Sequence, residues 1–132
     1  ESSMNIETAL CLGFVFHLVG DYLLQNDWMA NEKTKDSLVC GIHCVIYTLP
    51  FAIAIFDSPF IWIVLVSHFF IDRFRLATYW IKLVNWSWGS NNFGYKGDKP
   101  IWMSFWLMII IDNTFHIIFN SIAIYLDFKM RQ

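Results

Sequence analysis

A histidine and an aspartate stand four residues apart in three separate apolar segments of this chain. The pairs are His17 and Asp21, His68 and Asp72, and, in reversed order, Asp112 and His116. Residues at i and i+4 share one face of a helix, so each pair predicts a polar stripe on an apolar helix. Ionisable side chains in membrane segments are retained when they are paired, bound to a metal or in water. The three pairs therefore favour a fold in which they meet.

The composition is that of a membrane protein. Hydrophobic residues make up 57% of the 132 residues and charged residues 15%, against about 45–50% and about 25% in soluble domains. Four apolar segments are each long enough to span a bilayer, which takes about 20 residues. The sequence predicts an all-α fold, an integral membrane bundle of four transmembrane helices over about 6–25, 37–56, 60–83 and 101–125. These helices form a single domain over 4–132, and residues 1–3 are interpreted as a cloning remnant before Met4.

Lysine and arginine predict the orientation of the bundle. Seven of the nine basic residues fall on the side of loops 26–36 and 84–100, and two fall in the C-terminal tail. Basic residues concentrate on the cytoplasmic side of membrane proteins, so both loops are predicted to be cytoplasmic and both termini to lie opposite. The net charge of −2 and the lack of a basic cluster argue against nucleic acid as a partner.

Helix direction favours one shared site. The first and third segments run toward the predicted cytoplasmic side and read His then Asp, whereas the fourth runs away and reads Asp then His. The histidine is thus the deeper residue of every pair, as a common layer of ligands requires. His43 in the second segment would complete this layer. The predicted metal ligands are His17, Asp21, His43, His68, Asp72, Asp112 and His116.

A divalent cation would remove the repulsion between three aspartates in such a layer. Imidazole and carboxylate ligands favour zinc, and they also suit manganese or iron. Seven ligands are enough for one or two ions and leave one aspartate as a general base. The candidates for this catalytic role are Asp21, Asp72 and Asp112.

Other polar residues are weaker candidates. Gln25, Lys33 and Arg75 are candidate substrate contacts. Arg75 with Arg73 could clamp a phosphate or carboxylate near Asp72, or both could be interfacial anchors that set the topology. The sequence has no GxGxxG, P-loop, nucleophile-elbow serine or HExxH motif, so nucleotide-binding, serine-hydrolase and zincin functions have no support.

Two alternatives to the shared site remain open. His–Asp pairs can serve as interhelical hydrogen bonds without any metal. His43 also has Cys40 and Cys44 beside it, so that helix could carry a separate Cys/His site, although thiols in such segments are more often small packing residues.

The whole pattern resembles an uncharacterised family of small bacterial and phage membrane proteins. That family carries a histidine, an acidic residue and a glutamine in its first helix, then a basic loop residue, a histidine in the second helix, His-x3-Asp in the third and Asp-Gln-x2-His in the fourth. The matching residues are His17, Asp21, Gln25, Lys33, His43, His68, Asp72, Asp112 and His116, with Asn113 in place of the glutamine. The family is similar to inner-membrane proteins named as metal-dependent hydrolases. The resemblance implies a bacterial inner-membrane location and the same four-helix fold.

Together these patterns predict a metal-binding integral membrane protein, and they favour a metal-dependent hydrolase of a lipid-like ester, amide or phosphoester at the cytoplasmic leaflet. Two other functions fit the same residues: a metal-ion or proton binding and transport protein, and a phage-type membrane interaction protein with a structural metal. The expected partners are membrane lipids and a lipid-like substrate, and the pattern is also compatible with a homo-oligomer.

Overall fold

The computed structural model describes residues 4–55 and 57–132, so the predicted remnant at residues 1–3 and position 56 lie outside the described part. Within the described ranges the regular elements are helices and no strand is present, which confirms the all-α prediction. The α-helices are α1 Ile6–Leu18, α2 Asp27–Glu32, α3 Ser37–Thr48, α4 Ala52–Ile55, α5 Ile61–Arg73, α6 Leu76–Asn85 and α7 Ile101–Met130.

The first helix changes its winding at Asp21, one of the predicted metal ligands. Asn5 caps α1 by accepting a hydrogen bond from the backbone N–H of Thr8 at 2.8 Å. After Leu18 the chain continues as a π-helical turn, Val19–Leu23, instead of the regular helix predicted over 6–25. A π-turn has one more residue than an α-turn, so it rotates the side chains that follow it relative to those before. Asp21 lies inside this turn and does not stand over His17 as it would in a regular helix.

Two further segments are interrupted. Asp36 caps α3 by accepting from the N–H groups of Leu38 and Val39, and α3 then passes through a 3-10 turn, Leu49–Phe51, into α4. The helix predicted over 60–83 is two helices, because Arg75 adopts a left-handed backbone conformation with φ of 47° between α5 and α6. This break separates α5 from the amphipathic helix α6.

In the described part of the chain, two stretches are long and apolar enough to cross a membrane, Ile6–Leu23 and Ile101–Met130. The other two predicted spans are carried by shorter helices, α3 with 12 residues and α5 with 13. Each needs its neighbouring turn or helix to reach the about 20 residues of a full span. The bundle of four transmembrane helices therefore stays a prediction, whereas the helical bundle itself is observed.

The long helix α7 is the centre of the packing. It contacts α1, α5 and α6, while α3 contacts α5 and the π-turn. The apolar core is formed by side chains from α1, from the segment that runs from α3 through α4, from α5 and from α7. This core consists of Phe16, Tyr47, Phe51, Ile55, Val64 and Ala123. The ligand-bearing helices α1, α3, α5 and α7 are thus held side by side.

Close packing at Gly20 gives a testable prediction. A Cβ at Gly20 would lie 2.6 Å from the Tyr47 ring and 3.0 Å from the Tyr47 carbonyl oxygen. Gly20→Ala is therefore expected to lower the free energy of unfolding by about 1–3 kcal/mol, as for other overpacked sites. Denaturant unfolding in detergent, followed by circular dichroism, measures this change.

Gly41→Ala is the matched control, since a Cβ at Gly41 meets no described atom within 4 Å outside its own turn of helix. That change is expected to be neutral or to stabilise the helix by about 0.5–1 kcal/mol. Equal stability of the two variants would contradict the close approach between the π-turn and α3.

Candidate metal centre

Four of the predicted ligands form one buried group. Asp21, His43, His68 and Asp72 each offer a ligand atom, and these atoms lie within 4.8 Å of one another. The Nε2 atoms of His43 and His68 are 2.9 Å apart. Asp72 Oδ2 lies 3.3 Å from His43 Nε2 and 3.2 Å from His68 Nε2. The lone pairs of two neutral imidazoles can point at one location when a cation lies between them. This group could therefore hold a metal ion.

A second group adjoins the first. Asp21, Asp112 and His116 also offer ligand atoms within 4.8 Å of one another. His116 Nε2 lies 3.2 Å from Asp112 Oδ2 and 3.0 Å from Asp72 Oδ1. Asp21 belongs to both groups, and the two oxygens of Asp72 face histidines of both. Adjacent sites joined by carboxylates are the arrangement found in two-metal centres.

The ligands come from four different parts of the bundle. The π-turn after α1 supplies Asp21, and α3 supplies His43. In α5 and α7 the regular i, i+4 spacing brings each histidine within 3.2 Å of its own aspartate. The structure thus brings together six of the seven predicted ligands: Asp21, His43, His68, Asp72, Asp112 and His116.

His17 lies beside these groups but belongs to neither. Its Nδ1 is 2.8 Å from the Tyr47 hydroxyl, and its Nε2 is 2.6 Å from Asn113 Oδ1. Because the amide oxygen can only accept, Nε2 donates to Asn113 and Nδ1 accepts from Tyr47. Both ring nitrogens are therefore occupied, and the π-turn has carried Asp21 away from this ring.

Four residues of this hydrogen-bond network were not predicted as site residues. They are Tyr22, Tyr47, Asn113 and Asn120; the Tyr22 hydroxyl is hydrogen-bonded to the Asn113 side chain, and Asn120 Nδ2 donates to the Tyr47 hydroxyl at 2.7 Å. Spacing was the available signal for two of them, because Tyr47 follows His43 by four residues and Asn120 follows His116 by four. Asn113 was visible only as the residue in place of the family's glutamine.

Lys33 reaches into the first group from the loop after α2. Its Nζ lies 2.6 Å from Asp72 Oδ2 and 3.5 Å from Asp21 Oδ1, and its side chain is 15% exposed. Burial alone would lower the pKa of Lys33, but the carboxylates of Asp72 and Asp21 outweigh burial and raise this pKa above its usual value. The lysine is therefore charged, and it lies among the ligands rather than in solvent.

The charges of the site fit a divalent cation. The carboxylates of Asp21, Asp72 and Asp112 and the ammonium of Lys33 leave two negative charges in a largely buried cluster when the histidines are neutral. The donor atoms are imidazole nitrogens and carboxylate oxygens, which suit zinc, iron or manganese. The Nε2 atoms of the three histidines in the groups contact the other ligands, whereas their Nδ1 atoms are buried and make no hydrogen bond among the described residues.

The remaining candidates lie at different distances from the groups. Arg75 lines a cavity of about 130 Å³ together with Lys33, Asp72 and Asp112, so this cavity leads to the metal centre. Gln25 belongs to neither group, and its Oε1 is buried without a hydrogen-bond partner in the described chain.

The alternative Cys/His site on α3 gains no support. The Cys40 and Cys44 sulfur atoms are 4.0 Å apart, and the Cys40 thiol donates to the Phe69 carbonyl oxygen at 3.7 Å. Within residues 4–55 and 57–132, neither thiol is part of a metal-ligand group. Both cysteines are free and buried, and they pack α3 against α5.

Comparison with known proteins gives a family without an assigned activity. No curated protein and no solved structure matches the chain. One family model matches residues 9–131, a range that includes every ligand of both groups. This match confirms the resemblance to an uncharacterised family, and the chain belongs to the family described as protein of unknown function, DUF3307.

Proposed function

We propose that this protein is a metal-dependent membrane hydrolase that cleaves a lipid-like ester, amide or phosphoester. One observation carries the proposal: two buried groups of histidine and aspartate side chains adjoin each other and share Asp21. Zinc is the first metal to test, with manganese and iron next. One or two divalent ions would be held by His43, His68 and His116 with the carboxylates between them.

Accessibility supports a division of roles among the aspartates. The side chains of Asp21 and Asp72 are 7% and 2% exposed, whereas that of Asp112 is 25% exposed. Asp112 also lines the cavity that leads to the centre. We assign Asp112 as the general base, because it lines that cavity and is the most exposed of the three, so it can meet both a water molecule and a substrate there. Asp21 and Asp72 then link the two groups.

The chemistry of hydrolysis suits this arrangement. A divalent ion in such a site polarises a carbonyl or phosphoryl oxygen and lowers the pKa of water. Lys33 and Arg75 line the same cavity and supply positive charge near the bond to be cleaved. Positive groups fixed at this point stabilise the negative charge that develops on the substrate oxygen. His17, Tyr47 and Asn113 act as positioning residues behind the ligands.

The proposed location is the bacterial inner membrane. Two apolar helices are long enough to span it, and the α3–α4 and α5–α6 segments would supply the other two spans. The cavity opens between Lys33 of loop 26–36 and Arg75. Basic residues dominate this side of the bundle, which favours the cytoplasmic leaflet as the source of substrate.

The polar network gives less support to transport of protons or metal ions. It ends at Asn120, and the next buried side chains on α7, Ala123 and Ile124, are apolar. The next buried polar residue on α7, Asp127, is held by Arg131 at 2.9 Å. A transport path would need continuous polar groups through this layer. Metal flux in proteoliposomes without lipid turnover would nevertheless favour transport over the proposal.

Removal of the metal is expected to abolish hydrolysis. Protein purified in detergent would be treated with a chelator, dialysed and assayed against a panel of phospholipids and acyl esters. We expect loss of bound metal and of activity, and recovery of both on addition of zinc, manganese or iron. The comparison variant Asp112→Asn is expected to keep its metal and lose activity, since the first group remains complete. Full activity in the chelated protein would refute the proposal.

A further inference from the structure

A second cavity lies where α5 ends and α6 begins. Its volume is about 490 Å³, and three basic side chains line it: Arg73, Arg75 and Lys82. Thr34, Thr78 and Ser90 add hydroxyl groups, and no carboxylate lines the cavity. A concave surface with three cations and no acid attracts anions.

The basic groups of this cavity are available to a ligand. Among the described residues, Arg75 and Lys82 make no ion pair; the Lys82 ammonium lies 5.6 Å from the Tyr79 ring centre. The Arg73 side chain is fixed, since its Nε donates to Ser37 Oγ at 3.0 Å and one terminal nitrogen donates to the Thr34 carbonyl oxygen at 2.7 Å. The Thr78 hydroxyl oxygen is buried and lacks a hydrogen-bond partner within the described ranges. An anion would supply the missing acceptor.

The start of α6 adds to the positive potential. Arg75 is the residue before this ten-residue helix, and no side chain caps the helix start. The N-terminus of a helix carries partial positive charge and free N–H groups, which bind phosphate or carboxylate. The start of α6 therefore adds partial positive charge next to the basic side chains of the cavity.

This cavity adjoins the metal centre. Thr34 and Arg75 line both the basic cavity and the smaller cavity that contains Asp72 and Asp112. A ligand anchored on the basic side chains would thus present its neighbouring atoms to the general base Asp112. Fixed placement of this kind is a large part of catalysis, because it removes the entropy of bringing the reactants together.

An apolar groove on the bundle surface lies close to the basic cavity, since Leu76 lines the groove and its chain neighbour Arg75 lines the cavity. Its volume is about 470 Å³, and Trp62, Val66, Phe70, Leu76 and Phe119 are among the residues that line it. The rings of Phe70 and Phe74 stack with centres 5.9 Å apart, and Phe74 lines the basic cavity. A hydrocarbon chain in the groove would therefore end beside the basic cavity.

We propose that the basic cavity binds the phosphate group of a membrane lipid, with one acyl chain of that lipid in the apolar groove. This inference rests on the proposed function and names its substrate class: a lipid in which the hydrolysed bond is close to a phosphate. Cationic donors, an uncapped helix start, the unpartnered Thr78 hydroxyl and the adjoining groove all match an amphiphile with an anionic head.

Binding of a fluorescent phosphatidic acid tests this proposal. The wild-type chain in non-ionic detergent micelles is titrated with the lipid, and diacylglycerol with the same chains serves as the lipid without phosphate. We expect Arg75→Gln with Lys82→Gln to weaken phosphatidic acid binding by at least about tenfold, since each lost charged contact contributes on that order. The control Lys96→Gln with Lys99→Gln removes the same charge from side chains that do not line the cavity, and it is expected to bind as the wild type does.

Three results would overturn the proposal. They are equal binding of diacylglycerol, unchanged affinity in the Arg75/Lys82 variant, and saturation by inorganic phosphate or an acidic peptide at the affinity of the lipid. All titrations are repeated on chelated protein, so that binding is measured apart from hydrolysis. Binding that persists while no preparation hydrolyses any lipid rejects the proposed function alone. If the Arg75/Lys82 variant binds lipid and hydrolyses it as the wild type does, the phosphate site and the catalytic role of Arg75 are rejected, whereas metal-dependent hydrolysis stands.

Discussion

Replacement of His68 by alanine is expected to remove the bound metal, whereas the same replacement at His17 is expected to leave it. His68 Nε2 lies 2.9 Å from His43 Nε2 and 3.2 Å from Asp72 Oδ2, in the middle of the first ligand group. Both nitrogens of His17 are taken by hydrogen bonds. Loss of an outer-shell partner lowers metal affinity by about 10–100-fold, so loss of the ligand His68 is expected to exceed about 100-fold.

Elemental analysis of the two variants in detergent, normalised to protein concentration, measures this difference. The comparison is matched, because both imidazoles are fully buried and both replacements remove the same atoms. Circular dichroism and size-exclusion profiles verify that each variant is folded. Stoichiometric metal in His68→Ala would reject the assigned ligand group. Equal loss of metal in both variants would extend the ligand set to His17, as the spacing of the first pair predicts.

Replacement of Lys33 by methionine is expected to destabilise the metal-free protein by about 3–5 kcal/mol, the usual loss when one partner of a buried ion pair is removed. Lys33 Nζ is 2.6 Å from Asp72 Oδ2, and the Asp72 side chain is 2% exposed. Without the ammonium, Asp21 and Asp72 face each other with no cation between them. A divalent ion would supply that charge, so metal is expected to stabilise Lys33→Met more than it stabilises the wild type.

Denaturant unfolding in detergent, with and without added zinc, gives both quantities. Lys35→Met is the control, since the Lys35 side chain is 67% exposed and pairs with Glu32 at 3.1 Å; it is expected to change stability by less than about 1 kcal/mol. If chelated Lys33→Met is as stable as Lys35→Met, then Lys33 does not neutralise the buried carboxylates.

The parts of the site that follow from regular helix geometry could be predicted from the sequence. In α5 and α7 the i, i+4 spacing places a histidine 3.2 Å from its aspartate, so the spacing alone indicated which side chains share a face. The match of helix direction to residue order predicted that these faces meet. Neither inference needs knowledge of tertiary contacts, because both depend on the period of the α-helix.

The other features depend on tertiary contacts that spacing does not encode. The π-turn at Val19–Leu23 is adopted where Gly20 packs against Tyr47, and it separates Asp21 from His17. The sequence suggested a lysine in a polar loop, but the loop folds back and buries Lys33 against Asp72. The break at Arg75 is a left-handed residue inside a pattern that reads as a continuous helix.

The winding of the first helix also fixes the rotational phase between its two ends. If Val19–Leu23 were wound as a regular α-helix of the same length, everything upstream would turn by about 100° relative to Asp21. The outer surface of α1 and the aspartate shared by the two ligand groups would then no longer be oriented together. The winding of one short turn thus decides whether the outer surface and the interior of this bundle can be correct at the same time.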